Sequence, residues 1–77
     1  MKTINIKLQT IEDVRDFVNV VSTSTIDIDL SSGRYVVDAK SIMGIFSLDL
    51  SKPIDLSIHS ENELEEIMEI LKPYIVE

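Results

Sequence analysis

Short stretches in which apolar and polar residues alternate constrain this chain more than any other feature. In the first stretch, Thr3 to Leu8, the side chains of Ile4, Ile6 and Leu8 point to one side. The same period of two recurs in two further stretches, at Ile26 to Leu30 and Ile54 to Ile58. The run Ser31 to Arg34 indicates a hairpin turn into a further strand at Tyr35 to Val37. Strands with this pattern bury one face and leave the other in water. The sequence therefore predicts a four-stranded sheet with one open face.

Two helices are predicted between these strands. Thr10 is a favourable N-cap for a helix that ends at about Val21. Ser41 can cap a second, short helix from Ile42 to Leu48, which Gly44 weakens. The apolar residues that we expect to face the core from the first helix are Ile11, Val14, Phe17, Val18 and Val21.

A third helix is predicted near the end of the chain, over about Glu61 to Leu71. Ser60 followed three residues later by Glu63 is the pattern of a capping box, and Pro73 forbids continuation. The order of elements is then strand, helix, strand, strand, helix, strand, helix. We expect an α+β fold in which three helices cover one face of the sheet.

Charge and residue types exclude several classes of function. The net charge of −7 repels nucleic acid and anionic membranes. Cysteine is absent, so neither a disulfide framework nor a thiolate metal site can form, and nothing in the sequence indicates a cofactor. No signal peptide or apolar membrane span is apparent, so we expect a cytoplasmic protein without membrane insertion. The 77 residues fit one domain over 1–77.

The run Lys40 to Leu48, with the letters KSIMGIFSL, resembles the second helix and regulatory serine of HPr, nearly residue for residue. HPr is the family of histidine-containing phosphocarriers in the bacterial sugar phosphotransferase system. The order of elements and the chain length also fit, so the resemblance covers the whole chain, although only this run is close in sequence. It implies an open-faced β-sandwich with the order βαββαβα.

The carrier segment of HPr does not match. The family has a Gly-x-His-x-Arg-Pro segment between the first strand and helix, where this chain reads LQTIED from Leu8 to Asp13. Depending on the alignment, Thr10 or Gln9 stands near the histidine's place and Glu12 near that of the arginine. A phosphoryl carrier needs a nucleophilic imidazole and positive groups that hold the anion. We therefore expect a degenerate carrier site at Thr10 and Glu12, with no catalytic residue.

His59, the sole histidine, is the other candidate for a phosphoryl group. It ends the last strand and precedes the cap Ser60, but the sequence indicates no acid paired with it, so we expect a solvated residue. Asp27 and Asp29 alternate onto one face of the second strand and supply too few ligands for a cation. We expect no metal site.

Ser41 and the helix that follows it are the stronger candidates. The resemblance implies that Ser41 is the serine that a dedicated kinase phosphorylates in Gram-positive bacteria, where modified HPr acts as a corepressor. Next to Lys40 at a helix start, a phosphate gains favourable interactions, although a plain N-cap explains the serine equally well. Ile42, Met43 and Phe46 are similar to the apolar patch by which HPr binds proteins, unless some of them join the core.

Three functions remain open at this point. The first is a non-catalytic, regulatory module that binds a protein of the phosphotransferase or carbon-regulation machinery through the Ser41 helix. The second is a phosphocarrier that uses His59 or Thr10 in place of the usual histidine. The third is an HPr shape reused for an unrelated partner. The first is our expectation, because it requires only a surface.

Overall fold

The computed structural model describes residues 2–60 and 64–76. The predicted order of strands and helices is confirmed, and the fold is α+β. The elements are β1 (Lys2–Ile6), α1 (Ile11–Ser22), β2 (Ile28–Ser32), β3 (Tyr35–Asp38), α2 (Ile42–Phe46), β4 (Ile54–Ile58), α3 (Leu64–Leu71) and a short 3-10 helix (Lys72–Tyr74).

The four strands form one antiparallel sheet in the order β1-β4-β2-β3. Ile58 pairs with Lys2 on one side and with Ile28 on the other. β2 and β3 form a hairpin closed by Ser32 and Tyr35, with Gly33 at φ +61° in the turn. A positive φ at the first position of a two-residue turn is readily adopted by glycine, and it suits the twist of the hairpin.

One face of the sheet and the inner faces of the helices enclose the core. Strand residues that point to this face alternate with polar residues on the open face, as the period of two predicts. Aliphatic side chains fill the core, with Phe17 as the largest fully buried side chain. Its fully buried members also include Ile6, Leu8, Val14, Leu30, Ile45, Ile54, Leu56, Ile58 and Leu71.

Tyr74 closes the core beneath α1. Its ring meets Phe17 edge to face, with centroids 5.6 Å apart and planes at 89°. Burial, and then the nearby carboxylates of Asp16 and Asp13, raise the pKa of the Tyr74 phenol above its ordinary value of 10.0. The geometry is the favourable T-shaped arrangement of aromatic pairs, and it fixes the end of the chain against the first helix.

Several element ends differ from the prediction. β1 ends at Ile6, although Leu8 beyond it is still fully buried. β2 begins at Ile28 rather than Ile26, and α2 ends at Phe46 rather than Leu48. α3 ends at Leu71, as predicted, and Pro73 lies in the first turn of the 3-10 helix that follows, where a proline lacks only a donor that the start of a helix leaves unused. The chain accordingly continues from α3 into the 3-10 helix.

Two further expectations concern single residues. Ile11 was expected to face the core, but it is 67% exposed, because it is the first residue of α1 and lies ahead of the turn that packs on the sheet. The capping box of Ser60 and Glu63 lies partly outside the described residues. Within the described ranges, no helix is long and apolar enough to cross a membrane.

Candidate functional site

Ser41 lies where the chain leaves β3 and begins α2. Its backbone is extended, with φ −100° and ψ 103°, and its hydroxyl oxygen accepts a hydrogen bond from the Gly44 N–H at 3.2 Å. This is the N-cap geometry that the sequence predicts. The side chain is half-buried, so part of it remains accessible at the start of the helix.

The residues of α2 divide between the core and the surface. Ile45 is fully buried and Ile42 is partly buried against the core. Met43 is 78% exposed and Phe46 is 41% exposed. Of the three residues predicted to form an apolar patch, Met43 and Phe46 thus lie on the surface, while Ile42 mainly packs. We call Ser41, Met43 and Phe46 the α2 surface.

Gly44 brings α2 close to the sheet. A Cβ at this position would lie 3.1 Å from the Val37 Cβ of β3 and 3.2 Å from the Ser41 Oγ. Any side chain here therefore presses on both the strand and the cap. The sequence indicated only that Gly44 weakens the helix; in the structure it also permits the close approach that presents Met43 and Phe46 outward.

The predicted carrier position is occupied by a complete capping box at the start of α1. The Thr10 hydroxyl oxygen accepts a hydrogen bond from the Asp13 N–H at 3.0 Å. In return, the Asp13 carboxylate accepts bonds from the N–H groups of Thr10 at 3.3 Å and Gln9 at 2.9 Å. The negative charge of Asp13, with that of exposed Glu12, suits a helix N-terminus and disfavours an incoming phosphate.

His59 lies at the opposite end of the sheet from Thr10. Thr10 follows the end of β1 that pairs with Ile54, whereas His59 follows Ile58 at the other end of β4. A strand of this length spans about 14 Å between those ends. The structure therefore does not bring the two candidate phosphoryl positions together.

His59 has an acidic partner that sequence reasoning missed. Its Nε2 lies 2.6 Å from Asp29 Oδ2, and both side chains are about 40% exposed. The pair forms because β4 lies beside β2, with Asp29 opposite Ser57. Residues 29 and 59 are far apart in sequence, so the pair could be predicted only from the order of the strands in the sheet, which the sequence pattern does not give.

The same end of the sheet holds an open cleft of about 340 Å³. Its titratable lining residues are Asp27, Asp29, Asp38, Lys40 and His59. Lys40 is held in place, because its Nζ donates to the Ser24 carbonyl at 2.7 Å. Within residues 2–60 and 64–76, no three His, Cys, Asp or Glu side chains are arranged so that they could hold a metal ion.

Comparison with known proteins defines the class to which this fold and surface belong. Residues 14–76 match the family described as the PTS HPr component phosphorylation site. The match begins directly after the Leu8 to Asp13 segment. Because it covers most of the chain, the protein is a member of the HPr family.

Solved structures agree with this assignment. HPr-C-His from Thermoanaerobacter tengcongensis is 29% identical, with a TM-score of 0.79 over 95% of this chain and 89% of that one. The phosphocarrier protein HPr from Bacillus anthracis str. Ames is 28% identical, with a TM-score of 0.72 over 97% of this chain and 94% of that one. No curated protein matches the sequence.

Proposed function

We propose that this HPr family member is a regulatory, protein-binding module and not a phosphoryl carrier. The observation that carries the proposal is the exposure of Met43 on α2. Exposure of a large apolar side chain to water is unfavourable, whereas the flexible methionine side chain packs well against the surface of a partner. Phe46, one turn further on, adds an aromatic anchor of the type that dominates binding energy at interfaces.

Ser41 is the proposed point of regulation. Its position at the rim of the α2 surface means that a phosphate there changes the charge that a partner meets beside Met43 and Phe46. The hydroxyl is already directed at the Gly44 N–H, and the first-turn amides favour an anion. Phosphorylation therefore need not unfold the helix, and it supplies new acceptor atoms for a basic partner.

The loss of carrier chemistry is the second half of the proposal. Thr10 uses its hydroxyl oxygen as an acceptor inside the capping box, and no described side chain accepts a hydrogen bond from this hydroxyl, because the Asp13 carboxylate bonds the N–H groups of Gln9 and Thr10 instead. A hydroxyl without a base is a weak nucleophile. Glu12 and Asp13 add negative charge where a phosphate would approach.

The alternative is a phosphocarrier that uses His59. Asp29 favours it in one respect, because a carboxylate bonded to one nitrogen orients the ring and leaves the other nitrogen free. The charge of the cleft opposes it, because Asp27, Asp29 and Asp38 line the same cleft as the ring and together outweigh the single cation Lys40, so they repel a phosphoryl donor. We therefore favour the regulatory module.

The proposed partners are proteins of the phosphotransferase or carbon-regulation machinery, met in the cytoplasm. The open face of the sheet carries Asp29, Asp38 and Asp55 together with hydroxyl and amide side chains. The negative charge of this face disfavours nucleic acid phosphates and anionic lipid.

Kinase recognition tests the α2 surface directly. With ATP and an HPr kinase, we expect one phosphate per chain at Ser41, and none in Ser41→Ala. Phe46→Lys should slow the reaction at least tenfold, because it places a charge in the apolar contact. The matched control is Ile70→Lys on α3, because Ile70 at 39% is exposed to the same degree as Phe46. Equal rates for the two lysine variants would contradict the proposal.

A further inference from the structure

The outer edge of β3 is a second exposed surface. β3 is the last strand in the sheet, so β2 is its single neighbour among the described strands. Tyr35 and Val36 at its start are 69% and 65% exposed. A sheet edge with exposed apolar side chains is a template for pairing with another strand.

The hydrogen-bonding pattern of the hairpin determines which residues of β3 direct their backbone N–H and C=O groups to the outer edge. Ala39 N–H donates to the Ile28 carbonyl of β2 at 2.9 Å. In an antiparallel ladder, bonded pairs alternate with non-bonded pairs, so Val37 also directs its backbone groups toward β2. Val36 and Asp38 therefore direct theirs toward the outer edge.

Two charges at the ends of β3 lack an ionic partner among the residues that the structure describes. Asp38 lies directly opposite Asp29 of β2, and like charges in that position repel. Arg34, in the turn before β3, forms no ion pair with any described residue. Arg34, Val36 and Asp38 are two residues apart, so a continued strand places all three side chains on the open face.

We propose that two copies of this chain pair antiparallel through β3, with Val36 opposite Val36 of the second copy. In this register, residues whose backbone groups point to the outer edge lie opposite each other. Each Val36 N–H can therefore donate to the Val36 carbonyl of the second copy. Two-fold symmetry places each Arg34 opposite Asp38 of the second copy, which forms two charge pairs. The result is one eight-stranded sheet.

Neighbouring registers are less favourable. A shift of two residues in one direction places Arg34 opposite Val36, and both charge pairs are lost. The same shift in the other direction places Arg34 opposite Lys40, which brings like charges together. The charge pattern of the edge thus selects the register that is centred on Val36.

The side chains on both faces of the paired strands also fit this register. On the core side, Tyr35 lies opposite Val37 of the second copy, an aromatic and β-branched pair of the favourable kind. On the open side, the guanidinium of Arg34 reaches the cleft lined by Asp29 and Asp38 of the second copy. The described edge is only four residues long, so the interface is small and we expect a weak, rapidly exchanging dimer.

Sedimentation equilibrium and NMR on the wild-type chain test the proposal first. The apparent mass should rise from one copy toward two with increasing concentration, with a dissociation constant on the order of 100 µM to 1 mM. In a mixture of labelled and unlabelled chains, intermolecular NOEs should join the Tyr35 ring to the Val37 methyl groups. A single-copy mass throughout, or intermolecular NOEs at another surface, would overturn it.

Charge reversal tests the register. Arg34→Glu and Asp38→Arg should each weaken association at least tenfold, because each brings like charges together at both contacts. An equimolar mixture of the two variants should regain the wild-type affinity, because opposite charges then meet at both contacts. Lys2→Glu, at an exposed cation on the opposite edge strand β1, is the control and should behave as wild type. Failure of the mixture to regain affinity, with both variants folded by their amide spectra, contradicts the register.

Asp38→Arg removes an acceptor of the Lys40 N–H, so the amide spectrum must first show that this variant is folded. If that variant does not fold, the wild-type NOEs decide the register by themselves.

Discussion

Replacing Thr10 by alanine should destabilise the protein, because Thr10 has a structural task in place of a chemical one. The substitution removes the acceptor of the Asp13 N–H at the start of α1. Loss of a threonine N-cap costs about 1 kcal/mol, within a range of about 0.5–2 kcal/mol. In a domain of this size, 1 kcal/mol lowers Tm by about 4–8 °C.

Asp13 is the other half of this capping box. Asp13→Ala removes the acceptor of two N–H groups and a negative charge at the helix N-terminus, so we expect a loss of about 1–2 kcal/mol. Since both residues stabilise the same turn, the double variant should lose less than the sum of the two single losses.

The assay is urea unfolding followed by far-UV circular dichroism. Thr10→Ser keeps the acceptor and should stay close to wild type. Thr25→Ala is the matched control, because Thr25 is exposed and lies outside any helix, so its loss should stay within about 0.5 kcal/mol. If Thr10→Ala costs no more than Thr25→Ala, the structural interpretation of Thr10 is wrong.

Three further predictions concern other parts of the fold. Gly44→Ala should lower the unfolding free energy by about 1 kcal/mol, because crowding against Val37 outweighs the higher helix propensity of alanine; a stabilised variant would contradict this. In Tyr35→Phe, absorbance at 295 nm should show Tyr74 ionising above its ordinary pKa of 10.0. Tyr74 of the unfolded chain then ionises at a lower pH than Tyr74 of the folded protein, so its contribution to stability should be fully present below pH 10.0 and be lost as the pH rises through the raised pKa; no loss of stability in that range refutes the claim. His59→Ala should change stability by at most about 1 kcal/mol, since the contact of His59 with Asp29 is partly exposed, and a larger loss would show a deeper role.

The fold followed from the sequence because its signals are local. The period of two in Ile54 to Ile58 reports directly which side chains face the core, and that alternation is confirmed. The N-caps Thr10 and Ser41 were also predicted correctly, because a cap depends on residues within one turn.

The pairing of His59 with Asp29 could not be predicted in this way. It depends on β4 lying next to β2, and alternation within a strand carries no information about neighbours. Ile11 shows a similar limit at a helix end. Its helical spacing is correct, but its exposure depends on how far the sheet extends beneath the first turn.

The central claim, a regulatory module without carrier function, is tested most directly by intact mass with peptide mapping after two separate incubations. One contains phosphoenolpyruvate and the first enzyme of the phosphotransferase system, and the other contains ATP and an HPr kinase. The account predicts no phosphate in the first mixture and one phosphate at Ser41 in the second. An acid-labile phosphate on His59, or any phosphate on Thr10, in the first mixture would contradict it.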